Sequence, residues 1–358
     1  MNVVKVSPAA LTDLMRSPIS AVPVTACLLF ANGLVFIAML LAGAGWWHTA
    51  NGVQLAWGAN FGPATQDGQW WRLFTAVFIH FGVLHLALNM WALWDVGRLV
   101  ERLMGRWQFA LLYLGSGVLG NLVSLVAQGN QAVSGGASGA VFGLFGALLV
   151  FLWRERAQVD RSEFRWLFGG ALGFSVAMLV MGTLVSGIDN AAHMGGMVAG
   201  MLLGLGLARP WTTQSLGVQR SRWAGAVALL LVVALLLLRL PDPSYRYGEE
   251  VLVRQAIQSY VQQDTATQQQ WTTLLQASTS AGLSFDQIAG RVESDIAPAY
   301  ARSFEQLMQV RPTTAVPSAQ QLAQLQTYAA QRADAARELA NGLKSNDPQT
   351  IRRLLKTP

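Results

Sequence analysis

Long stretches of this chain carry no Asp, Glu, Lys or Arg at all, among them those between Arg16 and Asp67, between Arg72 and Asp95, and between Arg106 and Arg154. Each reaches or exceeds the ~20 apolar residues that cross a bilayer core, so the pattern predicts membrane-spanning helices. Run by run, seven spans are expected, near 21–44, 77–96, 107–127, 138–153, 166–186, 190–208 and 223–238. The first two are separated by a long, barely charged segment bearing Trp46, Trp47, Trp57, Phe61, Trp70, Trp71 and Phe74, a composition suited to the membrane interface. Beyond Pro241 the pattern changes to Gln- and Ala-rich amphipathic periodicity near 249–263, 285–310 and 319–343, punctuated by Pro298, Pro312, Pro317 and Pro348. The predicted fold class is therefore all-α: a polytopic membrane protein with a six-helix core, a seventh C-terminal transmembrane helix and a helical extramembrane tail. The domain plan follows: an N-terminal cytosolic arm at 1–20, the six-span core at 21–209, a cytosolic loop and seventh span at 210–243, and an extracytoplasmic tail at 244–358.

Composition agrees with that pattern. Hydrophobic residues make up 53% of the 358 and charged residues only 12%, against about 25% in a typical soluble domain. The net charge of +6 resides almost wholly in the spanning part, with 14 basic against 9 acidic residues up to Pro243 and 11 against 10 beyond it. Twelve Lys and Arg fall in alternate loops, from Lys5 and Arg16 through Arg98 to Arg106 and Arg154 to Arg165 to Arg209, Arg220 and Arg222. The loops between them hold only Arg72. The positive-inside bias then predicts a cytosolic N-terminus and a tail outside. No clustered basic patch argues for nucleic acid. The single cysteine, Cys27, excludes an intrachain disulfide and a cysteine-rich metal site. The first apolar run is long and followed by more of the same, so no cleavable signal peptide is expected. A cysteine-poor, Ala- and Leu-rich chain of this kind suggests a bacterial inner membrane.

The chemistry sits where polar residues interrupt those spans, because each is costly in lipid. Ser138 stands in Ser134-Gly-Gly-Ala-Ser138-Gly-Ala-Val-Phe142, among small residues at the mouth of an apolar helix. A hydroxyl needs a positioned base and donors for the oxyanion it creates. The chain has four histidines, His48, His80, His85 and His193. His193 heads another span, and His85 with Asn89 lies at i and i+4 on one face of a third. Under the predicted orientation, spans two, four and six all run inward, which puts His85, Ser138 and His193 at one level. Ser138 to Trp153 covers roughly 24 Å as a helix, less than the ~30 Å hydrocarbon core, so Ser138 is expected below the lipid surface. Gly139 with Gly143, and Gly196, Gly200 and Gly204, form small-residue faces that let two helices approach closely. Plainer readings remain for some residues. His48 belongs to the aromatic belt, and His80 serves equally well as a helix-to-helix hydrogen-bond partner. Glu101 and Arg102 suit a structural role at the inner end of span two. Asp189, four residues before His193, is better explained as a helix cap than as a third catalytic member. No His-Glu-x-x-His helix or pair of intramembrane aspartates supports a metallo- or aspartyl protease. The centres of spans two, four and six carry no charge that would suggest a transporter.

Together these motifs resemble the rhomboid family of intramembrane serine proteases over about 71–204. They are Trp71-Arg72, His80 through Asn89, Gly97-xxx-Glu101-xxx-Gly105, Gly136-Ala-Ser138-Gly139 and Ala192-His193-xx-Gly196-xxx-Gly200. The resemblance implies Ser138 as nucleophile, His193 as base, and His85, Asn89 and the Ser138 backbone N–H as oxyanion donors. It also implies Phe142 packing on His193, with Gly136, Gly139, His80, Arg72 and Glu101 in support. The expected activity is endoproteolysis of single-span membrane proteins near their outer end, by a Ser-His dyad without cofactor or metal. A catalytically inactive rhomboid-like protein that binds transmembrane clients is the alternative. Expected partners are single-pass substrates and the bilayer, with no nucleic acid; the resemblance says least about the seventh span and the tail.

Overall fold

The computed structural model describes residues 11–16, 18–207 and 216–356. The predicted arm up to residue 10 and the loop at 208–215, with Lys5 and Arg209 of the charge count, lie outside the described residues. The chain forms two compact units, 1–243 and 244–358.

In the first unit the apolar runs become long helices: α1 Pro23–Leu41, α2 Val83–Met104, α3 Arg106–Gln128, α4 Ser138–Glu155, α5 Arg161–Leu184, α6 Asn190–Leu207 and α7 Leu216–Leu238. Six of them, α7 through its Gln219–Leu238 part, are long and apolar enough to cross a membrane alone. The seventh, α2, qualifies with the preceding Arg72–Phe78 segment, from which it is bent by 92°. Among the described residues there is no β-strand, only an isolated bridge between Asn60 and Ser134. The protein is thus an all-α, multi-pass integral membrane protein.

The second span differs most from its predicted limits. Its helix starts at Val83 instead of 77, because Ala76–Phe78 forms a 3-10 turn and the chain bends before Gly82. A Cβ at Gly82 would lie 2.1 Å from the Trp47 carbonyl oxygen, so this corner is closed by backbone contact. At its other end α2 runs on to Met104, carrying Glu101 inside the protein. Glu101 accepts from the backbone N–H groups of Val24 (3.0 Å) and Thr25 (2.7 Å) and from the Thr25 hydroxyl (2.7 Å). Those are free donors at the start of α1, so one carboxylate joins the ends of two helices and offsets its own burial.

Helix α4 is the axis of the unit: 78% of its span is buried, against 6% for α7. It packs against α2, α3, α5 and α6. Contact with α6 is backbone to backbone, since a Cβ at Gly196 or Gly200 would sit 2.0 Å from the carbonyl oxygen of Gly139 or Gly143. Such close approach replaces the hydrophobic driving force that lipid cannot supply between helices.

The second unit contains α8 Tyr247–Ala281, α9 Phe285–Arg291, α10 Ala297–Met308, α11 Ala319–Lys344 and α12 Pro348–Lys356. Helix α8 outruns its predicted length, and along the added part Thr267, Thr272, Thr273, Thr279 and Ser280 donate their hydroxyls to carbonyls four residues earlier, which keeps these polar side chains from competing for the backbone elsewhere. A capping box at Ser284 starts α9. Pro298, read from the sequence as punctuation, does not separate α9 from α10. A π-helical turn at Val292–Ile296 carries the chain through, and its wider spacing accommodates a residue without an N–H.

Candidate active site

Ser138 is the first residue of α4, so its own N–H belongs to the first turn, where no helical carbonyl is available to accept it. The loop before it is fixed by backbone. Ser134 and Asn60 exchange N–H to carbonyl bonds of 2.8 Å, and the Gly136 N–H donates to the Ala76 carbonyl at 2.8 Å. Gly136 has φ +131°, and a Cβ there would lie 2.8 Å from His85 Cε1, so only glycine lets this loop pass between Ser138 and His85.

His193 is the fourth residue of α6 and almost fully buried. Its Nε2 lies 2.8 Å from Ser138 Oγ. The ring stacks on Phe142, with centroids 4.4 Å apart and planes 9° from parallel. Phe142 follows Ser138 by one helical turn, so one face of α4 presents both the hydroxyl and the surface that holds the imidazole. His193 Nδ1 is buried without a hydrogen-bond partner. Asp189 does not reach it. The Asp189 carboxylate accepts from the Ala192 N–H (2.9 Å), as a cap does, and also from Gln128 Nε2 (2.9 Å) and the hydroxyls of Ser124 and Ser134.

His85 Nδ1 accepts from the Phe81 N–H at 3.4 Å, which leaves Nε2 as the protonated nitrogen, beside Gly136 on the Ser138 side. Asn89 gives one N–H of its amide to the His85 carbonyl at 2.9 Å and keeps the second. His80 is fully buried, with Nδ1 3.3 Å from the Phe78 carbonyl and its ring 5.1 Å from that of His85. Gly139 lies against α6, where a Cβ would be 3.3 Å from the Ala192 carbonyl oxygen. Arg72 stands one layer out, donating to the carbonyls of Leu55 (2.7 Å) and Ala59 (3.0 Å) and to Gln69 (2.7 Å), and so ties together the segment between α1 and α2. Glu101 is far from the site: sixteen residues along α2 from His85, roughly 24 Å, it holds the opposite end of the bundle. His48 is exposed.

Sequence reasoning missed the partners of Asp189 and the Asn60 to Ser134 pair. Ser124 and Gln128 are i and i+4 on α3, a same-face signal, but nothing in the sequence aims that face at Asp189.

An all-α membrane protein that presses a serine hydroxyl against an imidazole, at the ends of two touching helices, belongs to a narrow class: proteins equipped for nucleophilic chemistry inside the bilayer. The comparisons with known proteins name it. The Rhomboid domain model matches residues 67–210. The chain is 35% identical to the rhomboid protease GluP of Bacillus subtilis over 212 residues, covering 58% of this chain and 38% of GluP. It is 37% identical over 146 residues to YdcA of the same organism, whose name carries a provisional rhomboid protease assignment, covering 41% of this chain and 70% of YdcA. Rhomboid-type serine protease 2 of Emericella nidulans is 33% identical over 155 residues, covering 42% of this chain and 30% of that protein. The chain belongs to the rhomboid family, a family of intramembrane serine proteases, although it spans well under half the length of GluP.

Proposed function

We propose that the chain is an intramembrane serine endopeptidase that cuts single-span membrane proteins near the outer end of their transmembrane segment, using a Ser138 and His193 dyad. The 2.8 Å contact between His193 Nε2 and Ser138 Oγ, with the ring stacked on Phe142, is the observation that carries this reading. Neutral His193 takes the hydroxyl proton as Oγ attacks the scissile carbonyl. The oxyanion is met by His85 Nε2–H, the remaining N–H of Asn89 and the Ser138 backbone N–H. The imidazolium then protonates the leaving amine, and water, activated by the same imidazole, hydrolyses the ester on Ser138. The reading of a dyad instead of a triad is supported by His193 Nδ1, which lacks a partner, and by Asp189, which is committed to four other donors.

At 18 residues α4 covers roughly 27 Å, less than the hydrocarbon core, which supports a nucleophile below the lipid surface. Loop charge supports an N-terminus in the cytosol, the core at 21–209, a cytosolic loop and seventh span at 210–243, and an outer tail at 244–358, and the cysteine-poor, Ala- and Leu-rich composition supports a bacterial inner membrane. Within the first unit, Asn130 Nδ2 donates to the Asp242 carbonyl at 3.1 Å, beside the loop that leads to Ser138. That contact favours the chain leaving α7 on the active-site face.

The test is cleavage of a single-span protein in proteoliposomes, with the new termini located by mass spectrometry. The expected result is one cut near the outer end of the substrate helix, lost in Ser138→Ala and in His193→Ala. An uncut substrate, or equal cutting by Ser138→Ala, would leave a client-binding rhomboid-like protein as the better description.

A further inference from the structure

The touching backbones of α4 and α6 and the stack of Phe142 on His193 bring the two reacting side chains near each other, but neither holds the loop before Ser138 against the head of α6. Ser138 and His193 lie on different helices, and the segments entering those helices meet at a single side chain. Asp189 is half-buried just before α6. Its Oδ1 accepts from the Ala192 N–H, the residue next to His193, and from Gln128 Nε2. Its Oδ2 accepts from the hydroxyls of Ser124 and Ser134. Ser134 is four residues before Ser138, on the loop that delivers it. Ser124 and Gln128 are one turn apart on α3, which packs against both α4 and α6.

One carboxylate therefore gathers three segments: the head of the helix bearing the base, the loop bearing the nucleophile, and the helix behind both. Four donors use its acceptor sites in a partly water-excluded place, where such charge-assisted bonds are shorter and stronger than neutral ones. The Ser134 loop has other anchors, the backbone exchange with Asn60 and the Gly136 bond to Ala76, so without Asp189 it stays folded but loses this tie to the head of α6. A displacement of about 1 Å at a reacting pair costs on the order of 100-fold in rate.

We infer that Asp189 is a positioning residue: it sets the Ser138 to His193 spacing by clamping the Ser134 loop to the head of α6, without acting on the imidazole itself. This rests on the protease reading above. Since Asp189 touches neither substrate nor the reacting atoms, its loss lowers kcat and leaves KM alone. Asparagine can keep the bond from Ala192 at its oxygen and offer its amide to the serine hydroxyls, so it restores most of the function.

The experiment is steady-state cleavage of a single-span substrate by the full chain in proteoliposomes. Asp189→Ala, Asp189→Asn, Ser134→Ala and the Asp189→Ala/Ser134→Ala double variant are compared after correction for the fraction that a fluorophosphonate labels to completion. The expected pattern is a fall in kcat of about 100-fold in Asp189→Ala with KM within about twofold, and recovery to within about tenfold of wild type in Asp189→Asn. Ser134→Ala should lose less than Asp189→Ala, and the double variant should be no worse than Asp189→Ala alone, because both remove the same clamp. Unchanged kcat in Asp189→Ala, a KM effect instead, or additive losses in the double variant would overturn the inference. A loss of about 10⁴ in Asp189→Asn would overturn it in favour of a triad. Failure of the wild type to cleave or to be labelled would instead overturn the protease reading, so the two failures are distinguishable.

Discussion

The two units of this chain bury their helices by opposite means. In the membrane unit the closest contacts are made by absent side chains: Gly196 and Gly200 let the backbones of α4 and α6 touch. In the tail the helices meet through side chains, with Val292, Ile296, Tyr300, Ala336, Leu339 and Leu343 forming one cluster and Val253, Ile257, Tyr260 and Leu322 in another. The polar groups divide in the same way. Around Ser138 they are joined to one another inside the protein, whereas in the tail the ion pairs Arg291 to Asp295, Arg337 to Asp334, Lys344 to Glu293 and Arg353 to Glu338 have both partners at least half exposed. The difference teaches where precision is needed. Lipid offers no hydrophobic drive between helices, so the membrane unit relies on close approach and hydrogen bonds, and these fix Ser138 against His193. Water drives the tail together, and such a core tolerates adjustment.

The largest effect is expected at glycine. Gly196→Ala puts a methyl 2.0 Å from the Gly139 carbonyl oxygen, with backbone on both sides and no flexible side chain to yield. Destabilisation beyond about 3 kcal/mol is expected, seen as loss of thermal protection and of fluorophosphonate labelling together. A folded, labelled Gly196→Ala protein would show that α4 and α6 do not need contact.

Next in size come His85 and Asn89, the proposed oxyanion donors. His85→Ala and Asn89→Ala should each lower turnover by about 100- to 1,000-fold while the protein stays folded, as judged by an unchanged melting temperature. Full activity in both would remove them from the site.

In the tail, electrostatics act through exposed groups and the effect is smaller. The Thr313 hydroxyl, with the N–H and hydroxyl of Thr314 and the Thr313 N–H, holds the Glu249 carboxylate at about 2, below its ordinary 4.5. A depressed carboxylate stabilises the folded state above its unfolded value, so this contribution is complete above about pH 4.5 and is lost as pH falls toward about 2. The melting temperature of the tail should therefore drop across that window, and drop less in Glu249→Gln. Equal pH dependence in both would assign the effect to other groups.

The smallest expected change is the counterpart of the first. A Cβ at Gly290, within α9, meets nothing within 4 Å. Gly290→Ala should stabilise the tail by about 0.5–1 kcal/mol, because alanine gives up less backbone freedom than glycine. Destabilisation would mean that this face is covered.

Much of this architecture was legible because lipid enforces a simple rule: uncharged runs must be helices, and polar residues inside them must have a purpose. Ser138, His193 and Phe142 could be placed together from that rule, small-residue spacing and the family resemblance. What escaped was non-local. The start of α2 at Val83 was hidden because Val77, Phe78 and Ile79 are as apolar as the helix that follows, and only Gly82 marks the corner. Glu101 could be assigned to the inner end of α2, but its partners are backbone N–H groups of Val24 and Thr25, which leave no mark in sequence. The Asp189 cluster draws on neutral residues from three separate segments, and its cap on Ala192 was the only part that local spacing could reveal. In the tail, Pro298 was visible as an interruption, but its accommodation by a π-helical turn depends on the packing of Val292 and Ile296.

Whether the membrane unit by itself holds an activated serine can be read by fluorophosphonate labelling followed by peptide mapping. The full chain and a chain ending at Pro243 would be compared. Both should carry a single label, on Ser138, and lose it in His193→Ala. Absence of label, a label on any other residue, or a label that requires residues 244–358 would contradict the account.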